Sequence, residues 1–248
     1  MLSTLYAAAA RRRRERYAAR PDLRRRLRRP VISIGNLAVG GRGKTPLTAF
    51  VARELLEMGE RPAVLSRGYR RTDPADGVVV VRDPEGIRSD LGRAGDEPLM
   101  LARRLEGASV LVSPDRYLAG RLAEHHFGAS VHVLDDGFQH FQLERDVDIL
   151  IVGAADAAHP VTLPFGRLRE PLDTCIAADA IVAADDDLAL RMEGLDVPIF
   201  RVVRTVGRPA GLPEGWEPRG VVAVAGIAAP QRFFADLRTA GHLLTDTL

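Results

Sequence analysis

Short apolar runs alternate along the chain with longer segments whose apolar residues recur every three or four positions. The runs have the length of buried strands and occupy residues 31–34, 63–66, 78–81, 109–112, 131–134, 149–152 and 180–183. The segments with helical spacing occupy residues 46–58, 98–105 and 117–125. This alternation predicts an α/β fold with a doubly wound, mostly parallel sheet.

Polar residues cluster where several of the predicted strands end. Arg67 follows the run 63–66, and Asp135 and Asp136 follow the run 131–134. Open parallel sheets bind their ligands in the crevice at the carboxyl ends of the strands. We therefore expect the functional site at this edge of the sheet.

A glycine-rich segment joins the run 31–34 to the helical segment 46–58 and contains Lys44, the only lysine of the chain. A compact ammonium can enter the narrow cradle that such a loop forms around a polyphosphate, whereas a planar guanidinium cannot. Strand, glycine-rich turn, Lys-Thr and helix are typical of a phosphate-binding loop, although Ala38 replaces its usual first glycine. We predict that Lys44 contacts the β and γ phosphates and that Thr45 offers its hydroxyl to Mg²⁺. The predicted nucleotide-binding residues are Val39, Gly40, Gly41, Arg42, Gly43, Lys44 and Thr45.

The acidic pair Asp135 and Asp136 is a candidate metal site. A carboxylate at the end of a strand can reach Mg²⁺, directly or through water, while Thr45 holds the other side. A turn or a helix cap would explain two isolated acidic residues equally well. Their occurrence together with Lys44 and Thr45 favours the metal site.

A second acidic pair, Asp96 and Glu97, stands at the start of the helical segment 98–105. Asp96 can cap this helix, a structural role that needs no chemistry. It can also be the base that accepts a proton from an attacking hydroxyl. The residues alone leave these two interpretations equally open.

Several cationic side chains also follow the predicted strands. Arg67, Arg70 and Arg116 could hold an anionic substrate or the charge of a transferring phosphoryl group, although most arginines in such a chain face solvent. His140 lies next to the acidic pair that ends the run 131–134. No spacing of histidine and cysteine suggests a zinc site.

Two other classes of P-loop protein are disfavoured by the sequence. GTPases that recognise guanine use an Asn/Thr-Lys-x-Asp loop, which would require a second lysine. Partition-type ATPases have a lysine just before the glycine-rich sequence, at the position that Val39 occupies here.

Charge is distributed very unevenly along the chain. Residues 1–30 contain 11 arginines and two acidic residues, a net charge of +9, which leaves −7 for the rest of a chain whose overall net charge is +2. Leu2, Leu5 and Tyr6 precede the arginine clusters, a pattern that suits a helix lying on an anionic lipid surface. The same charges could bind nucleic acid or form a solvated tail, so three interpretations remain.

Composition restricts the setting of the protein. Apolar residues make up 46% of the chain, enough for a sizeable core, and no window approaches the roughly 18 apolar residues of a membrane span. The single cysteine, Cys175, excludes an intramolecular disulfide and fits a reducing compartment. A secretory signal is not expected, because the arginines follow the apolar stretch and do not precede it.

The expected organisation has four parts. A basic N-terminal helix over 1–30 precedes a P-loop domain over 31–200 and a linker over 201–220 that is rich in proline and glycine. Residues 221–248 contain one further strand and one helix. Since so few residues cannot close an independent core, we expect this part to be the incomplete start of a second α/β domain.

The motifs occur in a fixed order along nearly the whole chain. They are Gly-Asn-Leu-Ala-Val-Gly-Gly-Arg-Gly-Lys-Thr-Pro at 35–46, Ser-Arg-Gly-Tyr at 66–69, Gly-Asp-Glu-Pro at 95–98, Pro-Asp-Arg at 114–116, Asp-Asp-Gly-Phe-Gln-His at 135–140, Leu-Pro-Phe-Gly-Arg-Leu-Arg-Glu-Pro at 163–171 and Gly-Ile-Ala-Ala-Pro at 226–230. This set resembles the tetraacyldisaccharide 4′-kinase family of lipid A biosynthesis, and the motif at 135–140 is specific for it.

The resemblance implies ATP with Mg²⁺ and, as acceptor, the 4′-hydroxyl of a tetraacylated glucosamine disaccharide 1-phosphate at the cytoplasmic face of the inner membrane. It implies that Lys44 and Thr45 bind phosphates and Mg²⁺, that Asp135 joins the metal site and that Asp96 is the base. The implied substrate-binding residues are Arg67, Glu97, Arg116, Asp136, Gln139 and His140. The family's basic N-terminal helix docks on the membrane, so the resemblance favours that role for residues 2–29, with no nucleic acid as partner.

One departure from the family pattern concerns the C-terminal part. The family continues beyond the motif at 226–230 to an Asp-His-His stretch, whose histidine is thought to pair with the aspartate of Gly-Asp-Glu-Pro. His242 does not stand in that context. We expect either a fragment or a short form whose base acts unassisted. The alternative function is a truncated, catalytically impaired homologue that binds ATP at the membrane surface.

Overall fold

Two compact units, Met1–Val202 and Val203–Leu248, make up the chain. The computed structural model describes residues 1–40, 43–68, 72, 77–183, 188–189, 192, 194–203, 207, 211, 220–226 and 230–248. The predicted positions that lie outside the described residues are Gly41, Arg42, Tyr69 of the motif at 66–69, Arg70, most of the expected linker 201–220, and residues 227–229 of the last motif.

The first unit is built on one large sheet. Its strands are β1 (Val31–Asn36), β2 (Pro62–Ser66), β3 (Val79–Asp83), β4 (Gly86–Ile87), β5 (Ser109–Val112), β6 (Val131–Asp135), β7 (Val147–Val152), β8 (Ala180–Ala183) and β9 (Ile199–Arg201). Their order is β4-β3-β5-β2-β6-β1-β7-β8-β9. β3 is antiparallel to β5 and to β4, and the other neighbouring strands are parallel. The predicted α/β fold with a mostly parallel sheet is confirmed.

The helices of the first unit cover both faces of this sheet. They are α1 (Leu2–Ala19), α2 (Lys44–Glu57), α3 (Leu91–Ala94), α4 (Asp96–Arg104), α5 (Arg116–His126) and α6 (Ala154–Ala158). Val64 and Val133 pack in one core with α2 and α4, whereas their neighbours Leu65 and Leu134 pack in another with α5. Successive side chains of a strand point to opposite faces. The central strands are therefore buried on both faces, which explains their continuous apolar sequences.

Three neighbouring strands end in polar residues at the same edge of the sheet. β2 ends at Ser66, β6 at Asp135 and β1 at Asn36, and these strands lie side by side in the sheet. Their carboxyl ends meet the start of α2. The topology thus places Asp135, a predicted site residue, in a crevice between Ser66 and Asn36.

The N-terminal helix is shorter than the expected element over residues 1–30. α1 ends at Ala19, and Arg20 has a φ of −128° and a ψ of 78°. Pro21 follows, and a proline disfavours the helical conformation of the residue before it. A single 3₁₀ turn, Pro21–Leu23, comes next. The alanine and arginine content favours a helix, but the helix does not continue past this proline. The C-terminal end of the predicted helix is therefore corrected from residue 30 to Ala19.

The second arginine cluster, residues 24–29, is attached to the body of the first unit. The backbone N–H of Arg25 donates to the carbonyl of Gln142 at 2.8 Å, and its guanidinium donates to Asp115 at 2.6 Å. Leu27 is only 4% exposed and packs with the core beneath α5. This cluster is therefore fixed to the body of the first unit, although most of its guanidinium groups remain exposed.

The second unit contains β10 (Val221–Ala223), α7 (Pro230–Thr239) and β11 (Leu244–Thr247), and its two strands are parallel. The first strand and the helix agree with the predicted elements, while β11 was not expected because Leu244 is the only apolar residue of Leu244–Thr247. Among the helices described in the two units, none combines the length and the apolar character needed to cross a membrane.

Candidate active site

The glycine-rich loop leads from β1 into the first turn of α2. Gly40 and Gly43 have φ values of 64° and 95°, in the left-handed region that favours glycine. Gly43 is the N-cap of α2, so Lys44 and Thr45 are its first two residues. The unpaired N–H groups and the positive dipole end of a helix start bind anions. The described part of this loop therefore has the backbone of a phosphate-binding loop.

Lys44 reaches acceptors on two neighbouring strands. Its Nζ lies 3.0 Å from Oδ1 of Asn36, at the end of β1, and 3.5 Å from Oδ1 of Asp136, just beyond β6. Because β1 and β6 are adjacent, the sheet itself sets these distances. The Lys44 side chain is 13% exposed, so the ammonium is shielded from water and interacts more strongly with nearby charge.

Asp136 forms a bidentate ion pair with Arg169. Nη1 and Nη2 of Arg169 donate to Oδ2 and Oδ1 at 2.9 and 2.7 Å, and Nη2 also donates to Oδ1 of Asn36 at 2.6 Å. Burial alone would raise the pKa of Asp136, but the hydrogen bonds and charge of Arg169, with the charge of Lys44, hold it below its ordinary value. Asp136 also has a φ of 56°, a strained conformation of the kind found at functional sites.

Asp135 is buried beside this network, with 3% of its surface exposed. The hydroxyls of Thr48 and Ser66 donate to its two oxygens at 3.3 and 3.4 Å. Burial, followed by the negative charges of Glu97 and Asp136, raises the pKa of Asp135 to about 6. Its negative charge is therefore poorly compensated within the protein, and a cation bound nearby would stabilise it.

The other acidic pair, Asp96 and Glu97, begins α4. The N-cap of α4 is Gly95, with a φ of 86°, and Asp96 is the first helical residue. Of the two interpretations left open for Asp96, the N-cap is therefore wrong. Oδ1 of Asp96 accepts the N–H of Glu97 at 3.0 Å, and both side chains are exposed. The start of α4 lies close enough to β6 for the charge of Glu97 to influence Asp135.

A cavity of about 520 Å³ adjoins the Lys44 network, since Asp136 and Arg169 belong to both. Of the predicted substrate-binding residues, the ones that line it are Arg67, Arg116, Asp136, Gln139 and His140. Glu97 is not part of the described lining. α1 forms one side of the cavity through Tyr6, Ala9, Ala10 and Arg13. The N-terminal helix is thus a wall of the candidate site.

The cavity wall is strongly cationic. Arg116 is 5% exposed, and burial followed by the charge of Arg67 lowers its pKa to about 10. Within the described residues its Nε has no hydrogen-bond partner. Burial and the charges of Arg116 and Arg145 lower the pKa of His140 to about 3, so its ring is neutral near pH 7. A buried guanidinium such as that of Arg116, with an unpaired Nε, favours a bound phosphate.

Asn36, Thr48, Ser66 and Arg169 belong to the network but are absent from the residues that the sequence predicts. Asn36 has a recognisable signal, because it is a polar residue at the end of an apolar strand. Arg169 stands in the motif at 163–171, which marks its segment but not its role. It enters the site because its segment folds back on β1, where its N–H donates to the carbonyl of Leu37 at 2.6 Å.

A glycine-rich loop after a central parallel strand, a Lys-Thr pair at the start of the next helix and a buried aspartate on the adjacent strand define a P-loop kinase fold. The crystal structure of LpxK from Aquifex aeolicus, described as an "apo" form in complex with ATP, superposes with a TM-score of 0.85. The two are 33% identical, and the match covers 100% of this chain and 79% of that one.

The family model of tetraacyldisaccharide-1-P 4′-kinase, LpxK, matches residues 1–248. A tetraacyldisaccharide 4′-kinase of Koribacter versatilis is 41% identical, over 97% of this chain and 73% of the relative. Another, from Geobacter metallireducens, is 40% identical over 100% of this chain and 76% of the relative. The chain belongs to the tetraacyldisaccharide 4′-kinase family.

Proposed function

We propose that this chain transfers the γ-phosphoryl group of ATP to the 4′-hydroxyl of a tetraacylated glucosamine disaccharide 1-phosphate, a step of lipid A biosynthesis. The observation that carries this proposal is the position of Asp136. Oδ1 of Asp136 lies 3.5 Å from the ammonium of Lys44, and Asp136 also lines the cationic cavity. A nucleotide phosphate and an acceptor can therefore meet at one point.

ATP as the phosphoryl donor is supported by the phosphate-binding loop and by the ATP complex of the Aquifex aeolicus structure. Val39, Gly40 and Gly43, with Gly41 and Arg42, would surround the phosphates. Lys44 would move its ammonium from Asn36 to the β and γ oxygens. There it stabilises the negative charge of the transferring group.

Mg²⁺ fits the residues of the site. It is usually held by one or two carboxylates together with substrate phosphates, and the described residues contain no cluster of three or more His, Cys, Asp or Glu side chains that could hold a metal. The carboxylate of Asp135 and the hydroxyl of Thr45 would hold the ion. When bound, Mg²⁺ neutralises charge on the phosphates. The raised pKa of Asp135 is consistent with a cation as its partner.

Asp96 is the proposed base. Asp96 is the first helical residue of α4 and Gly95 occupies the N-cap position. Its carboxylate is exposed, and its neighbour Glu97 is near enough to influence Asp135. A base at this position can accept the proton of the 4′-hydroxyl as that oxygen attacks phosphorus.

The cavity is the proposed acceptor site. Arg67 and Arg116 would bind anionic oxygens of the acceptor or of the transferring phosphoryl group, and Gln139 and neutral His140 would bind sugar groups through hydrogen bonds. Because α1 forms one side of the cavity, an acceptor whose acyl chains remain in a bilayer could enter along this helix.

An apolar surface at the start of α1 supports contact with the cytoplasmic face of the inner membrane. Leu2 and Leu5 are 57% and 67% exposed. The hydroxyls of Ser3 and Thr162 each donate to the other's carbonyl at 2.8 Å, which places Phe165, 76% exposed, on a neighbouring loop. Apolar side chains beside a cationic helix suit the surface of an anionic bilayer.

The alternative function, an impaired ATP-binding homologue, is not favoured, since the family model matches residues 1–248 and the relatives are named as kinases.

The proposed function is tested by incubating the protein with ATP, Mg²⁺ and the tetraacyldisaccharide 1-phosphate in detergent micelles. We expect the mass of one phosphate to be added to the lipid for each ADP formed. ADP formation without phosphorylated lipid would contradict the proposal.

A further inference from the structure

α1 presents one stripe of residues to the body of the first unit. Its half-buried residues are Ser3, Ala7, Ala10, Arg14 and Tyr17, and every other residue of the helix is exposed. Their spacing of three and four positions forms a single face. A helix face that served only to pack the helix against the protein would be apolar. This face also contains an arginine, Arg14.

Arg14 is the arginine of α1 with the most extensive buried contacts. Its Nε and Nη2 donate to Oε2 and Oε1 of Glu170 at 2.7 and 3.0 Å. Glu170 is only 3% exposed and Arg14 is 19% exposed. The guanidinium also lies over the rings of Phe138 and Phe141, with its carbon 4.3 and 4.9 Å from their centroids. Arg14 is thus packed against the motif at 135–140.

Glu170 connects Arg14 to the nucleotide-binding loop through a chain of hydrogen bonds. Its Oε1 accepts both from Arg14 and from Nε2 of Gln139, the latter at 3.0 Å. The same Nε2 donates to the backbone carbonyl of Asn36 at 3.1 Å, and Asn36 accepts from Lys44. Both protons of the Gln139 amide are therefore committed, and its orientation depends on the carboxylate that Arg14 holds.

We propose that Arg14 is a positioning residue for phosphoryl transfer, which acts through Glu170 and Gln139 on the end of β1 and on the cavity wall. α1 is then more than an anchor, because its inner face completes the active site. This inference rests on the proposed function. A positioning error of about 1 Å can cost roughly a hundredfold in rate, so loss of the contact should reduce turnover strongly.

Arg11 provides a matched control. It lies on the same helix and donates to Asp173 at 2.6 Å, in an ion pair whose side chains are 52% and 59% exposed. Arg11→Ala removes the same charge and a link between α1 and the same region of the body. It leaves Glu170 and Gln139 untouched.

The test compares Arg14→Ala, Arg14→Lys and Arg11→Ala in detergent micelles with saturating ATP and tetraacyldisaccharide 1-phosphate. We expect kcat to fall at least tenfold in Arg14→Ala, with the Kd for ATP within twofold of the wild type. Arg14→Lys, which keeps one charge-assisted bond, should be intermediate. Arg11→Ala should retain the kcat of the wild type. Equal kcat values for Arg14→Ala and Arg11→Ala would overturn the inference.

Two further measurements keep the inference independent of folding and of the proposed function. The double variant Arg14→Glu with Glu170→Arg restores an ion pair and should recover part of the lost kcat, whereas no recovery would count against a specific pair. Hydrogen exchange of the amides of residues 137–140 should accelerate in Arg14→Ala and remain unchanged in Arg11→Ala. Unchanged exchange in both variants would overturn the inference even if no lipid is phosphorylated, whereas a wild type without transfer would overturn only the proposed function.

Discussion

Lys44 and Arg169 bind the same two acceptor atoms. Oδ1 of Asn36 lies 3.0 Å from the ammonium of Lys44 and 2.6 Å from the guanidinium of Arg169. Oδ1 of Asp136 lies 3.5 Å from Lys44 and 2.7 Å from Arg169. Arg169 can neutralise Asp136 by itself, so the ammonium can move to a phosphate without leaving the carboxylate of Asp136 unpaired.

This shared arrangement predicts the effect of changing Lys44. Lys44→Arg should be nearly as damaging as Lys44→Ala, because a second guanidinium would have to share the space beside Arg169 and cannot enter the phosphate cradle. We expect kcat to fall about a hundredfold or more in both variants, as when one charge-stabilising donor is removed. Steady-state kinetics check this. A kcat close to that of the wild type in Lys44→Arg would refute the role of the loop.

Asp135 gives a prediction about stability and pH. Its pKa in the folded protein, about 6, lies above the ordinary value of 3.8. The stability that it contributes is present below about pH 4 and is lost as the pH rises through 6, a difference of up to about 3 kcal/mol. Asp135→Asn should therefore raise the Tm at pH 8, change it little at pH 4, and abolish phosphoryl transfer. Thermal melts at both values check the sign.

Asp136 is the matched control for that prediction, because its pKa is lowered by Arg169 and Lys44 against the effect of burial. A carboxylate of this kind stabilises the fold above its ordinary pKa, and the stability is lost as the pH falls. Asp136→Asn should lower the Tm at pH 8. If both variants shifted the Tm in the same direction at pH 8, the assignment of charge at the two positions would be incorrect.

The variant Asp96→Asn distinguishes a catalytic role of Asp96 from a structural one. Gly95 is the N-cap, and asparagine at the first helical position costs at most the weak dipole interaction of an exposed acid, under about 1 kcal/mol. The Tm should hardly change. General base catalysis contributes roughly 10²–10⁴-fold, so single-turnover transfer should slow by about that factor. An unchanged rate would leave Asp96 with no catalytic role.

Phe165 tests the proposed membrane surface. Phe165→Ser should weaken co-sedimentation with anionic vesicles several-fold and leave kcat in detergent micelles unchanged, because the loop of Phe165 contacts α1 outside the cavity. Phe50 on α2, 55% exposed, is the control, and Phe50→Ser should bind vesicles like the wild type. Equal binding by the two variants would exclude Phe165 from the membrane surface.

The main sheet could be predicted because its central strands are buried on both faces and read as apolar runs. Residues 109–112 and 180–183 agree with β5 and β8 at both ends. β4 and β9 could not be predicted, because strands of two and three residues are too short to show a pattern of apolar and polar positions. The end of α1 is set by Pro21. The prediction considered only the alanine and arginine content of the segment, so it placed the end of the helix too late.

The candidate site could be predicted where chemistry is local in sequence. Lys44 and Asp135 stand in short motifs with a known mechanism, and these motifs follow or end the adjacent strands β1 and β6. Arg169 and Glu170 act through contacts more than 30 positions away along the chain. Their partners are determined by the folded segment 161–171, whose sequence gives no sign of which strand it will meet.

Phosphoryl transfer to one defined hydroxyl is the central claim, and the position of the new phosphate tests it most directly. The lipid product formed from ATP and the tetraacyldisaccharide 1-phosphate can be purified and its phosphates located by two-dimensional ³¹P–¹H NMR. The account predicts a new phosphate coupled to the proton at carbon 4′, absent when Lys44→Ala replaces the wild type. A phosphate at any other carbon, or an unmodified lipid recovered from a protein that binds ATP, would contradict it.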